Sequence, residues 1–240
     1  MTMKHLALLV PNTDTTLETD LRCGLPADWT YHSSRMHLDE VGEQAERDMV
    51  DKELPKGLAS FRGIIPFSAA VFGCTSASAV YGRKGAQQLK ETMQESLHCP
   101  AASAFSCVEE AIYGAGNPPM AFLSPYIDSV NTFFAGTLRE FGIHPVCYQG
   151  MGIVQDPEIA AIAPEQTLSF VRSQKEKIHQ AGAKLVFLSC TNWRVYEQKA
   201  ALEAILELPV ITSNSCILDW IRSLDGQAPQ ANEPPVPASR

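Results

Sequence analysis

Two hexapeptides in this chain say nearly the same thing: Val71-Phe72-Gly73-Cys74-Thr75-Ser76 and Phe187-Leu188-Ser189-Cys190-Thr191-Asn192. Each is an apolar run that ends in Cys-Thr, followed by a polar residue and then a segment of helical composition. They stand 116 positions apart in 240 residues, about half the chain. A short apolar run closed by turn residues reads as a buried strand of the kind parallel sheets contain. A second pair of marks repeats at nearly the same interval, because Pro11 and Pro125 end the first apolar run of each half. A chain built this way is constrained to two similar α/β units with loops at corresponding strand ends.

The pass along the chain supports the repeat. Strands are expected at 5–10, 29–36, 68–72 and 101–104, then, after the linker Gly114-Ala115-Gly116-Asn117-Pro118-Pro119, at 120–123, 145–148, 184–188 and 209–212. Helical composition marks 39–54, 81–97, 107–113, 127–141, 164–181, 195–206 and 216–224. Residues 124–126 read as a loop. Alternating strand and helix implies parallel sheets, whose functional loops lie at the carboxyl ends of the strands. The expected fold is α/β, with two pseudo-twofold-related lobes, each a parallel sheet flanked by helices, and an active site in the cleft between them. Residues 1–116 plus 207–225 are expected to form the first lobe and 117–206 the second. The stretch 226–240, with four prolines, reads as a disordered tail.

Composition narrows the partners. A formal net charge of −8 and the lack of a Lys/Arg stripe argue against nucleic acid and anionic membranes. The opening apolar run, 6–10, is too short for a signal-peptide core or a membrane span. Seven cysteines without a Cys-x-x-Cys pair, and six scattered histidines, favour reduced thiols and disfavour zinc. The expectation is a cytoplasmic protein without metal or cofactor.

A buried cysteine is commonly just a small hydrophobe, and that reading serves Cys23, Cys99, Cys107, Cys147 and Cys216. It does not explain why Cys74 and Cys190 share a Cys-Thr-polar context at a strand-to-helix junction. Helix N-terminal N–H groups there favour an anion and are expected to lower a thiol pKa. Thr75, Ser76, Thr191 and Asn192 serve equally as helix caps and as donors to a carboxylate or oxyanion. For Thr13, Thr15 and Ser124 turn chemistry is the better reading. Asp14 is a candidate acceptor for a substrate ammonium, and Tyr126 a donor to a carboxylate. The polar His32-Ser33-Ser34-Arg35 fits an edge strand with one solvated face.

The chain resembles the aspartate/glutamate racemase superfamily, in the branch of maleate cis-trans isomerase and arylmalonate decarboxylase. The resemblance is carried by 10–18, by His32-Ser33-Ser34-Arg35-Met36, Gly73-Cys74-Thr75-Ser76, Tyr126-Ile127-Asp128-Ser129-Val130-Asn131 and Ser189-Cys190-Thr191. It implies a cysteine from each lobe, Cys74 and Cys190, and no cofactor. It also implies a small carboxylic acid substrate held by Thr75, Ser76 and Tyr126. Homo-oligomers are common in such folds. Decarboxylase members keep only the second-lobe cysteine, so having both points to isomerase chemistry.

Two departures bear on the substrate. Where maleate isomerases place substrate-contacting asparagines, this chain has Asp14 and Asp156. An amide donates to a carboxylate, whereas an ionised Asp repels one. The replacements favour a substrate with one carboxylate and an amine or amide. Thr191-Asn192-Trp193-Arg194 is also similar to the ectoine-utilisation proteins of this branch. The expected activity is therefore racemization at the carbon next to a carboxylate. Maleate-type cis-trans isomerization, malonate-type decarboxylation and non-catalytic binding of a small acid are the alternatives.

Overall fold

A computed structural model describes residues 2–38 and 40–226; the expected tail therefore lies, from residue 227 on, outside the described residues. The first sheet contains β1 (Lys4–Pro11), β2 (Trp29–Met36), β3 (Ala69–Phe72) and β4 (Ala101–Ser103), in the order β2-β1-β3-β4. The second contains β5 (Met120–Tyr126), β6 (Pro145–Ile153), β7 (Leu185–Leu188) and β8 (Val210–Thr212), in the order β6-β5-β7-β8. All pairings are parallel. Each half thus repeats the other's topology strand for strand.

The strands are as apolar as their position requires. Leu6, Ala7, Leu8, Leu9 and Val10 of central β1 are fully buried, as a parallel strand covered on both faces must be. Each large side chain among them stabilises the fold by roughly 1.5–3 kcal/mol. The more polar β2 lies at the sheet edge, where its His32-Ser33-Ser34-Arg35 stretch is only partly covered.

The helices are α1 (Leu17–Gly24), α2 (Glu43–Asp48), α3 (Leu54–Ser60), α4 (Gly82–Leu97), α5 (Ala104–Gly114), α6 (Asp128–Glu140), α7 (Asp156–Ala160), α8 (Pro164–Gln180), α9 (Lys199–Leu206) and α10 (Ser213–Ser223). None is long and apolar enough to cross a membrane. The helices α5 and α10 follow the last strand of their respective halves and pack against each other at the lobe boundary. Both start with a capping box, Ser103 with Ser106 and Thr212 with Ser215, which satisfies two N–H groups that lack a partner within the helix at each start.

Several expectations change. Residues 207–225, expected with the first lobe, divide between the two: β8 pairs with β7 in the second sheet, while α10 packs on α5 and α1. Residues 124–126 are strand rather than loop, and β5 runs on through Pro125 with an irregular register. The single helix expected at 39–54 is three pieces: α2, a π-helical turn at Met49–Glu53 and α3, which carries Pro55 in its first turn and runs on to Ser60. A proline donates no N–H, so it is tolerated where a new helix begins. The short α1 and α7 have no counterpart among the expected helices.

Candidate active site

Cys74 and Cys190 occupy the same place in the two sheets, each two residues beyond its strand. The intervening residues repeat the same anchor: Gly73 N–H donates to Leu9 O at 2.7 Å, and Ser189 N–H to Leu123 O at 2.9 Å. Both thiols line one small cavity between the lobes. Its walls contain all nine residues singled out in the sequence: Asp14, Cys74, Thr75, Ser76, Tyr126, Asp156, Cys190, Thr191 and Asn192. Pro11, Leu38, Val41 and Glu46 complete them. The free space is about 10 Å³, room for about one water. A substrate enters only if a wall moves.

The expected helix N-terminus behind each thiol is not there. After Cys74 comes a one-turn 3₁₀ helix, Ala77–Ala79, and α4 starts at Gly82; after Cys190 come turns, and α9 starts at Lys199. Burial accordingly pushes both thiols up rather than down. Glu46 adds to the effect at Cys74, against the N–H of Ala77. Asp156 adds to it at Cys190, against the Tyr126 hydroxyl. Tyr126 is itself pushed up, by burial first and then by the two thiols. Burial therefore favours the neutral thiol at both positions.

Cys190 has φ 147°, a conformation that non-glycine residues rarely adopt. Its N–H donates to Ser213 Oγ at 3.2 Å, and the same oxygen accepts from Thr75 Oγ1 at 2.8 Å. Ser213, at the start of α10, therefore ties the two cysteine loops together and helps hold the strained residue. Among the described residues the N–H groups of Thr75, Ser76 and Thr191 have no hydrogen-bond partner. They are donors available to an anion in the cleft.

The side chains of the same loops are largely spent on structure. Thr191 Oγ1 donates to Gly73 O at 3.2 Å, across the lobes. Asn192 accepts from Thr15 N–H at 3.0 Å, and its amide nitrogen donates to Asp156 Oδ2 at 2.9 Å and to the carbonyls of Asp156 and Thr13. It is a clasp between lobes, with both amide protons engaged. Thr13 Oγ1 joins it, donating to Asp156 Oδ2 at 2.6 Å.

The two aspartates differ. Asp14 Oδ1 accepts the N–H groups of Thr16 and Leu17, each at 2.9 Å, which starts α1. Its Oδ2 is buried without a hydrogen-bond partner. Burial raises its pKa to about 6, with Asp156 adding to it, against those two N–H donors and the nearby Thr191 hydroxyl. Asp156 is raised by burial too, opposed by Thr13 and Asn192. Arg35 of β2 donates to the carbonyls of Asn12 and Asp14, at 3.3 and 2.8 Å, and so fixes the loop from behind.

Glu46 is the residue that sequence reading missed. It is 2% exposed and accepts from Ser76 Oγ at 2.5 Å. Burial raises its pKa to about 7, partly offset by Ser76. Its signal was faint: a charge beside Ala45 and three residues before Met49, within the helical stretch expected at 39–54. Asn131 was also missed. It accepts from Ser124 Oγ at 2.5 Å and donates to Tyr126 O at 3.1 Å, which fixes the backbone that carries the tyrosine.

A family model described as arylmalonate decarboxylase matches residues 6–232. The chain belongs to the arylmalonate decarboxylase family. Solved structures bear out the fold of this family member. A Nocardia farcinica maleate cis-trans isomerase, a cysteine-to-serine mutant with a covalently bound succinylcysteine intermediate, has a TM-score of 0.83 at 14% identity, covering 93% of each chain. The maleate isomerase of Pseudomonas putida S16 has a TM-score of 0.80 at 17% identity over 94% of each chain. A liganded double mutant of arylmalonate decarboxylase has 0.80 at 18% identity over 97% of each. No curated protein sequence matches the chain.

Proposed function

We propose that the protein is a cofactor-independent isomerase that uses Cys74 and Cys190 as a pair, racemizing a small amino-acid-like substrate at the carbon next to its carboxylate. The observation that carries this reading is the placing of one thiol from each lobe, at corresponding strand ends, on a single enclosed cavity. Two groups approaching from opposite lobes suit removal of a proton from one face and delivery to the other. The substrate carboxylate is held by the free N–H groups of Thr75, Ser76 and Thr191 and by the Tyr126 hydroxyl. Those donors would act where enolate charge develops, and fixed dipoles in a dry site help most there.

One cysteine must act as thiolate and the other as thiol, with the roles exchanged for the opposite enantiomer. Burial opposes the thiolate. An ammonium on the substrate, entering among the carboxylates, offsets that cost and makes an amino-acid-like substrate the better fit. Entry requires a wall to move, and we take the cap formed by Leu38, Val41 and Glu46, which come from one segment ahead of the π-helical turn, as the part that swings away.

The test is proton exchange. A panel of small α-amino acids in D2O is followed by NMR. Loss of the α-proton signal from both enantiomers of one compound, abolished in the double variant Cys74→Ser/Cys190→Ser, is the expected result. Turnover without solvent exchange overturns it. Binding that survives the double substitution, without turnover of any compound, indicates a binding protein instead.

A second reading, cis-trans isomerization, is favoured by one observation: the Nocardia farcinica relative carries a succinylcysteine. In that reading a thiolate adds to one alkene carbon while the second thiol protonates the other, the new single bond rotates, and return of the proton with cleavage of the C–S bond gives the trans alkene and the thiolate. Conversion of maleate that is lost in Cys74→Ser would establish it. The carboxylates lining this cleft argue against a dianion as substrate.

A further inference from the structure

We propose that Asp14, Asp156 and Glu46 form a subsite for a positively charged amino group, with Glu46 supplied by the moving cap as the specificity-determining residue. The proposal rests on the reading of the cavity as a substrate site and names the kind of substrate it selects. Three carboxyl groups line a space that holds about one water, and no lysine, arginine or histidine lines it with them. The rest of the wall is thiol, hydroxyl, amide and apolar side chain.

An acidic cluster alone would mean little. The second observation is Asp14 Oδ2, which belongs to a side chain 1% exposed and has no donor. The neighbouring Thr191 hydroxyl is close enough to favour the ionised carboxylate, but it donates to Gly73 O, at 3.2 Å. A buried carboxylate oxygen without a donor is costly, and a ligand that donates to it removes the cost. An ammonium does so with three protons and a charge.

Glu46 makes the subsite conditional. It sits on α2, in the cap, and Ser76 holds its carboxyl inside the cavity. Closure therefore brings a third carboxyl toward whatever occupies the site. With a cation inside, closure gains a charge-assisted contact. With a dicarboxylate inside, closure forces anions together in a dry space. The raised pKa values of Asp14 and Glu46 agree with carboxyls that lack their counter-charge. Position 46 thus sorts substrates by charge, separately from the donors that hold the carboxylate.

The test uses binding, so that it is independent of turnover. The Cys74→Ser/Cys190→Ser protein is titrated calorimetrically with 2-aminobutyrate, 2,4-diaminobutyrate and 4-aminobutyrate, and with butyrate and maleate as probes without an ammonium. At least one amino acid is expected to bind about tenfold or more tightly than butyrate, as one charge-assisted hydrogen bond allows, and maleate not to bind. Adding Glu46→Gln should remove most of that preference, weakening the amino acid and relieving the repulsion on butyrate. The same comparison on the wild-type protein guards against a variant that fails to fold. Equal or tighter binding of butyrate or maleate overturns the proposal. So does failure of every amino acid to bind, or an unchanged preference in Glu46→Gln. If the preference holds but no α-proton exchanges, the isomerase reading fails and the subsite stands.

Discussion

The hydroxyl of Thr13, from the loop after the first strand of one lobe, donates to Asp156 at the start of a helix in the other lobe, at 2.6 Å. With Asn192 donating to the same oxygen, the bond closes the two halves over the thiols. Asp156 therefore joins the lobes as well as facing the cavity. Asp156→Ala removes an acceptor shared by two donors. It should destabilise the protein by about 1–2 kcal/mol, because Thr13 loses its acceptor while Asn192 keeps the two backbone carbonyls. Asp156→Asn keeps an oxygen for Thr13 and should cost less. Urea denaturation of both variants checks the order; equal losses would show that the bonds contribute little.

The two thiols should be separable by enantiomer. If each serves one face, Cys74→Ser and Cys190→Ser slow α-proton exchange of opposite enantiomers, each by about 10²-fold or more. Exchange in D2O of each pure enantiomer reads this directly. Equal loss of both enantiomers in both variants would point to covalent addition instead.

Stability should fall as pH rises from about 5 to 8. Burial raises Asp14 to about 6, and Asp20 and Glu46 to about 7. In the unfolded chain such groups ionise near pH 4. Between those values the folded state binds more protons than the unfolded one. The stability they contribute is full below about pH 4 and is lost as pH passes through about 6 to 7. Each shift corresponds to about 3–4 kcal/mol. The Tm measured at pH 5 should exceed that at pH 8, and Glu46→Gln should flatten the profile. A Tm that rises with pH across this range contradicts it.

Gly150 is required by close approach rather than by its backbone angles. A Cβ there would lie 2.0 Å from Tyr126 O and 2.2 Å from Asn131 Nδ2. Gly150→Ala should therefore cost about 1–3 kcal/mol, the usual range for overpacking. It should also displace the tyrosine, so that its activity falls toward that of Tyr126→Phe while most other small substitutions on β6 leave activity intact. Denaturation and exchange rates on the two variants would check both halves.

Parallel strands announce themselves locally, because burial on both faces demands unbroken apolar runs such as 6–10 and 185–188. Most strand positions, the doubled topology and the location of both cysteines could therefore be read without coordinates. The bounds blurred where local signals conflict. Pro125 reads as a breaker but sits within β5, and Pro55 reads as a helix end but opens α3.

The sequence by itself determined two α/β halves with a thiol at corresponding strand ends, because periodicity and repetition are properties of the chain. Only the tertiary structure decided what each polar side chain has left to offer. It commits Asn192 to a clasp, leaves one oxygen of Asp14 without a donor, and brings Glu46 from a distant cap to within 2.5 Å of Ser76. It also decided that the thiols are pushed up by burial rather than down by a helix start. Hydrogen-bond saturation and desolvation depend on neighbours far away in the chain, and no local pattern records them.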